Sequence, residues 1–88
     1  MHEGSPEGGR YVYAAGKDEA ELTYALAGGR MIIDHTFVPP AFREKGIALK
    51  LVKRAVKDAR ERGWKVTPLC SYAAVQFRRH EEWQDLLA

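Results

Sequence analysis

Residues 47–62 carry the strongest periodic pattern in the chain, and that pattern limits the folds open to it. Apolar side chains recur at the spacing of an amphipathic helix, at Ile47, Ala48, Leu51, Val52, Ala55, Val56 and Ala59. The opposite face is basic, with Lys50, Lys53, Arg54, Lys57 and Arg60. Gly63 follows in the position of a left-handed C-terminal cap. The pattern predicts one long helix whose apolar stripe must be covered by a second layer.

The segments before this helix alternate between apolar and polar residues, as β-strands do. Three of them cover residues 10–15, 20–26 and 30–38, and Gly28 and Gly29 supply a tight hairpin turn between the last two. Pro-Pro at 39–40 ends the third, because proline cannot donate to a β-ladder. The three segments are predicted to form an antiparallel meander.

After the helix, residues 64–69 are predicted to be a strand, and residues 71–80 and 83–87 short helices. The predicted order is β-β-β-α-β-α-α. This is an α+β fold with a mixed, mainly antiparallel sheet and a long helix after the third strand. Residues 1–9 are rich in Gly, Ser, Pro and Glu, so we expect a disordered tail there and the folded domain in residues 10–88.

Length and composition restrict the class of protein. The 88 residues suffice for one domain. No apolar stretch approaches the ~20 residues of a membrane-spanning helix, and the opening MHEGSPEGG lacks the apolar segment of a secretory signal. The single cysteine, Cys70, cannot form an internal disulfide, which fits a reducing compartment, so a cytoplasmic location is expected. His2, His80 and one cysteine do not form a metal-ligand spacing.

Positive charge is concentrated in residues 43–65, which carry nine basic and three acidic side chains in a chain of net charge +2. Such a segment suits an anion, either a nucleic acid or a phosphorylated cofactor. The alternative is a helix face that is merely exposed to solvent, which has the same composition. The chain has no RNA-recognition aromatic motif and no helix-turn-helix, so a nucleic-acid partner is the weakest of these readings.

A phosphate-binding pattern lies at the junction between the third strand and the long helix, where the sequence reads Arg43-x-x-Gly46-x-Ala48. The first turn of a helix has unpaired N–H groups and a partial positive charge. Gly46 and Ala48 leave room for a pyrophosphate, and Arg43 and Lys45 add full charges. A plain helix start with a small residue at its turn is the alternative.

Three stretches, GGRMIIDHTFVPPAFREKGIALKLV, ARERGWKVTPLCSY and FRRHEEW, resemble the GNAT superfamily of acyl-CoA-dependent N-acetyltransferases. The resemblance is narrower to its minimal stand-alone domains and covers residues 11–87. It implies acetyl-CoA as cosubstrate and an amine of a small molecule or protein as acceptor. We expect a monomer or weak dimer. The resemblance places pantetheine beside the backbone of Phe37 and Val38 and the pyrophosphate on Arg43, Glu44, Lys45, Gly46, Ile47 and Ala48. Glu44 replaces a glycine that is usual in close relatives.

His35 is the side chain best suited to take the proton of an acceptor amine, since its usual pKa lies near ~6.5. Strand alternation places it on one face with Met31, Ile33 and Phe37, and places Ile32, Asp34, Thr36 and Val38 on the other. The resemblance implies that a backbone N–H near Val38 polarises the thioester carbonyl. A half-buried, catalytically inert histidine is the alternative.

Cys70 lies between a predicted strand and a predicted helix start, a setting that lowers the pKa of a thiol. It is a candidate acetyl-accepting nucleophile with His35 as its base, or a small packed side chain. Many relatives protonate the leaving thiolate with a tyrosine, and here Phe77 or Arg78 occupies that place. Tyr72 is a nearby substitute. The missing tyrosine leaves open a CoA-binding module without transferase activity.

Overall fold

The computed structural model describes residues 2–42 and 46–87. Its strands are β1 (His2–Ser5), β2 (Gly8–Ala15), β3 (Asp18–Ala27), β4 (Arg30–Phe37) and β5 (Lys65–Pro68). Its helices are α1 (Ile47–Arg62) and α2 (Ser71–Arg79), with 3-10 segments at Pro40–Phe42 and Glu81–Leu86. Within the described ranges, no helix is long and apolar enough to span a bilayer.

The five strands form one sheet in sequence order, β1-β2-β3-β4-β5. Neighbours from β1 to β4 pair antiparallel, and β4 pairs with β5 in parallel because α1 carries the chain back between them. The predicted mixed α+β class is confirmed, and α1 has the bounds predicted for the long helix. The predicted element order is wrong by one strand, since α1 follows the fourth strand.

The additional strand is β1, which occupies the segment predicted to be a disordered tail. Glycine permits its close approach: a Cβ added to Gly9 would lie 2.3 Å from the Glu3 carbonyl oxygen and 2.8 Å from the Tyr24 hydroxyl. The His2 ring stacks on Tyr11 with centroids 4.3 Å apart, and a 2.6 Å hydrogen bond joins His2 Nε2 to the Tyr24 hydroxyl. Glycines and one histidine hold this strand in place. The segment therefore lacks the apolar alternation by which a strand can be predicted from the sequence.

An apolar core lies between the sheet and α1. Helix α1 contributes Leu51, Val52, Ala55, Val56 and Ala59, and the strands contribute Tyr11, Leu22, Tyr24, Met31, Ile33 and Val66. Asp58 is buried on the same side of α1, where it accepts a 2.7 Å hydrogen bond from the Tyr11 hydroxyl and pairs with Arg54. Burial raises the pKa of Asp58, but these two partners outweigh it and hold the pKa below its usual value.

A β-bulge interrupts the pairing of β3 with β4. Ile33 lies opposite Tyr24, whereas His35, two residues later, lies opposite Thr23, the residue adjacent to Tyr24. Asp34 is therefore the extra residue on β4, and its Oδ1 accepts a 2.6 Å hydrogen bond from the Thr23 hydroxyl. One extra residue reverses the side-chain alternation of the rest of the strand.

The reversal corrects the predicted faces of β4. Thr36 pairs with the fully buried Leu22, so Thr36 projects to the core face, and His35 and Phe37 project to the opposite face. Both of these side chains are exposed. The prediction that His35 shares a face with Ile33 is wrong past the bulge.

Replacing Gly9 with alanine should weaken the docking of β1 by about 1–3 kcal/mol, because the added methyl meets backbone rather than a movable side chain. Gly4→Ala is the milder control, since its methyl would lie 3.1 Å from the His2 ring, a contact that a small displacement relieves without loss of the His2 contacts. Amide hydrogen exchange across residues 2–5 measures the difference. Equal protection in the two variants would contradict the packing described for β1.

Candidate functional site

Strands β4 and β5 pair only over Arg30–Ile33 and Lys65–Pro68. Beyond this pairing the chain turns away, and the N–H groups of Leu69 and Cys70 both donate to the Ile33 carbonyl at 2.9 and 3.0 Å. Strand β4 continues to Phe37 without β5 beside it. A gap therefore opens between the end of β4 and the start of α2. Alternate backbone N–H groups on this edge of β4 point into the gap.

A cleft of about 270 Å³ lies in this gap, lined by Thr36, Val38, Gly46, Ala48 and Tyr72. It joins the end of β4, the start of α1 and the start of α2. Three of the residues predicted to bind the cofactor, Val38, Gly46 and Ala48, are thus brought together in one cavity. The predicted contacts of Arg43, Glu44 and Lys45 lie outside the described residues.

The start of α1 lies at one end of the cleft. Gly46 precedes the helix with φ 67° and ψ 22°, and no side chain forms a capping hydrogen bond there within the described ranges. None of the described residues lies within 4 Å of a Cβ added to Gly46. No described side chain therefore accepts from the first-turn N–H groups, which suits them to an anion. Ile47, also predicted to contact the cofactor, has its side chain in the core.

Cys70 lies at the N-terminal end of α2 and contacts Thr36, which lines the cleft. Its Sγ is 3.6 Å from the hydroxyl oxygen of Thr36. Burial raises the pKa of the thiol, but the backbone N–H groups of Ala73 and Tyr72 and the Thr36 hydroxyl outweigh burial, so the pKa lies below its usual value. The direction agrees with the predicted setting, and sequence reasoning missed Thr36 because the bulge moves it to this face.

His35 and Cys70 are not brought together. Cys70 meets Thr36 on the core face of β4, whereas His35 projects from the other face, beside Thr23. Within residues 2–42 and 46–87 the His35 ring makes no hydrogen bond or ion pair. The geometry does not support His35 as a base for Cys70, but it leaves the ring free on the side opposite the cleft.

Tyr72 is the tyrosine that the cleft contains. Burial raises the pKa of its hydroxyl, and nearby Arg79 only partly offsets this, so the side chain is protonated at neutral pH and able to donate. Phe77, at the place where many relatives have a tyrosine, is buried against Trp83 with ring centroids 5.2 Å apart. No metal-binding cluster of His, Cys, Asp and Glu occurs within the described part of the chain.

The Thr36 hydroxyl should set the reactivity of Cys70. In Thr36→Val the thiol pKa rises, and alkylation by iodoacetamide at neutral pH slows about threefold, because a hydrogen bond of about 1 kcal/mol to the thiolate is lost while intrinsic nucleophilicity rises. The rate as a function of pH gives the thiol pKa directly. Thr67→Val is the control, since the Thr67 hydroxyl is buried with no partner among the described residues. An unchanged dependence of the alkylation rate on pH in Thr36→Val would show that the Thr36 hydroxyl does not lower the thiol pKa.

Comparison with known proteins agrees with the geometry. No curated protein matches the chain. The solution NMR structure of a GCN5-like protein from Staphylococcus aureus superposes with a TM-score of 0.69 at 26% sequence identity, covering 89% of this chain and 87% of the other. The family model described as GCN5-related N-acetyl-transferase matches residues 10–86, from β2 to the last 3-10 segment. The chain belongs to the GCN5-related N-acetyltransferase family.

Proposed function

We propose that the protein is an acetyl-CoA-dependent N-acetyltransferase that acetylates an amine of a small molecule or protein. The observation that carries the proposal is the cleft between the diverging strands, which ends at the uncapped start of α1. In this arrangement the diphosphate lies on the first-turn N–H groups beside Gly46. The pantetheine extends along Thr36 and Val38, and the thioester lies in the gap near Cys70.

The two steps of the proposed reaction use side chains on different faces of β4. On the cleft side, the Cys70 thiolate attacks the thioester carbon, the carbon–sulfur bond breaks, and the leaving CoA thiolate takes a proton from Tyr72. The amine enters through the gap beside the end of β4, and as its nitrogen attacks the acetyl carbon of Cys70 its proton passes through one water to His35 on the other face. The Cys70 thiolate leaves, and Tyr72 is reprotonated from solvent. Each transfer conserves the acetyl group and needs no further reactant.

The single free cysteine supports a reducing compartment, so we place the protein in the cytoplasm. A monomer or weak dimer remains our prediction. If the protein only binds CoA, the cleft would be occupied and the amine would stay unmodified. Substitutions at Gly46, Cys70 and His35 distinguish this role from acetyl transfer.

Gly46→Glu should abolish the stabilisation of the protein by acetyl-CoA. The variant places bulk and negative charge where the diphosphate is proposed to lie, and φ 67° adds backbone strain of about 1–2 kcal/mol. Gly63→Glu is a matched control: it has φ 71°, open space around its Cβ and a place at the other end of the same helix. Both variants should melt at a lower temperature than the parent, and only Gly63→Glu should still be stabilised by acetyl-CoA. Retained stabilisation in Gly46→Glu would overturn the loop assignment.

Substitution of Cys70 and His35 should stop different half-reactions. With acetyl-CoA and no amine, mass spectrometry should detect acetyl-Cys70 in the parent and in His35→Ala, but no acetylated protein in Cys70→Ala. With an amine acceptor, His35→Ala should transfer about 10²- to 10⁴-fold more slowly, the range for loss of a general base. Undiminished transfer by Cys70→Ala would show direct attack on the thioester, and binding of acetyl-CoA without transfer to any amine would favour the non-enzymatic role.

A further inference from the structure

A second cavity, of about 440 Å³, lies at the opposite end of α1 from the cleft. Its walls include His2, Pro6, Tyr24, Arg62 and Trp64. The 16 residues of α1 separate it from Gly46 by roughly 24 Å at 1.5 Å per residue. Its volume lies within the range of small-molecule sites. Neither the acetyl-CoA cleft nor the acceptor face of β4 includes any of these side chains.

Flat aromatic surfaces line this cavity. The Tyr24 ring lies 6.4 Å from the Trp64 ring and 5.8 Å from the His2 ring, measured between centroids. Behind them Tyr11 completes a stack, 5.5 Å from Tyr24. Asp58 accepts a hydrogen bond from the Tyr11 hydroxyl and so holds the Tyr11 ring in place. Tyr11 and Tyr24 are therefore held by contacts within the protein, and the aromatic surfaces favour a planar aromatic molecule.

The charge at the cavity mouth is positive. The Arg62 guanidinium lies 5.3 Å from the centroid of the Trp64 ring. Three cations of α1 have carboxylate partners, namely Arg54 with Asp58, Lys57 with Glu61 and Arg60 with Asp85, whereas Lys50 and Lys53 have none among the described residues and do not line this cavity. Among the described residues Arg62 has none. An unpaired guanidinium over an aromatic wall is suited to a carboxylate carried by a flat ring.

We propose that this cavity is a second binding site, which takes a small planar aromatic carboxylate. The ring lies against Trp64 and Tyr24, and the carboxylate pairs with Arg62. The site is independent of acetyl transfer, because its residues and those of the cleft lie at opposite ends of α1.

Naphthoate tests the proposal by two-dimensional NMR on the isotope-labelled protein. Of the two tryptophans, Trp64 lines the cavity, whereas Trp83 lies buried against Phe77 and serves as an internal reference. Naphthoate should shift the Trp64 indole N–H and the Leu26 amide saturably, and leave the Trp83 indole and the Gly46 amide in place. Cyclohexanecarboxylate, which is not flat, and naphthylmethylamine, which is cationic, should each bind about tenfold more weakly or worse.

Two charge-matched variants complete the test. Arg62→Gln should weaken naphthoate binding about tenfold, whereas Lys57→Gln, which removes the same charge from an ion-paired position on α1, should leave it unchanged. Trp64→Leu should lose binding, with the melting temperature of each variant recorded. Equal losses in the two charge variants, equal binding of the amine and the acid, or shifts confined to Gly46 and Ala48 would each overturn the proposal. Unaltered acetyl-CoA binding in Arg62→Gln would support the independence of the two sites.

Discussion

The parallel pairing of β4 with β5 stops after Ile33 and Pro68, and the geometry of the cleft depends on where it stops. Pro68 has no N–H to extend the ladder, and the Ile33 carbonyl is occupied by the N–H groups of Leu69 and Cys70. The chain therefore leaves the sheet there, and α2 begins beside Thr36 rather than beside Ile33. The unpaired end of β4, the start of α1 and the start of α2 consequently face one space, and the Cys70 thiol contacts Thr36 beside it.

The parts of the fold that depend on local chemistry could be predicted from the sequence. Helix α1 begins and ends as predicted because Gly46 and Gly63, both with positive φ, bound an uninterrupted apolar stripe. The Gly28–Gly29 turn also has positive φ at both residues, as a tight hairpin requires. These features are determined by neighbours in sequence. For the same reason Gly46 and Ala48 could be selected from the pattern at the helix start, whereas Val38 was selected only through the resemblance to a known family.

The features that the sequence did not predict depend on pairing between distant segments. Asp34 is an extra residue in β4 only by comparison with its pairing partner β3. Strict alternation along β4 alone therefore assigned His35 and Thr36 to the wrong faces. Similarly, the glycines near the N-terminus have the composition of a flexible tail until Tyr24 is placed beneath them. In both cases the residue that determines the local structure is more than ten residues away in the sequence. Local propensities therefore cannot predict that structure.

The bulge gives a single strand two roles that can change separately. Past Asp34, even-numbered positions of β4 line the cleft and odd-numbered positions face the opposite side. Under the proposed function, substitutions at His35 or Phe37 would alter which amines are accepted, while the cofactor contacts proposed for Thr36 and Val38 stay constant. One strand would then allow the acceptor preference to change without a change of the proposed acetyl donor.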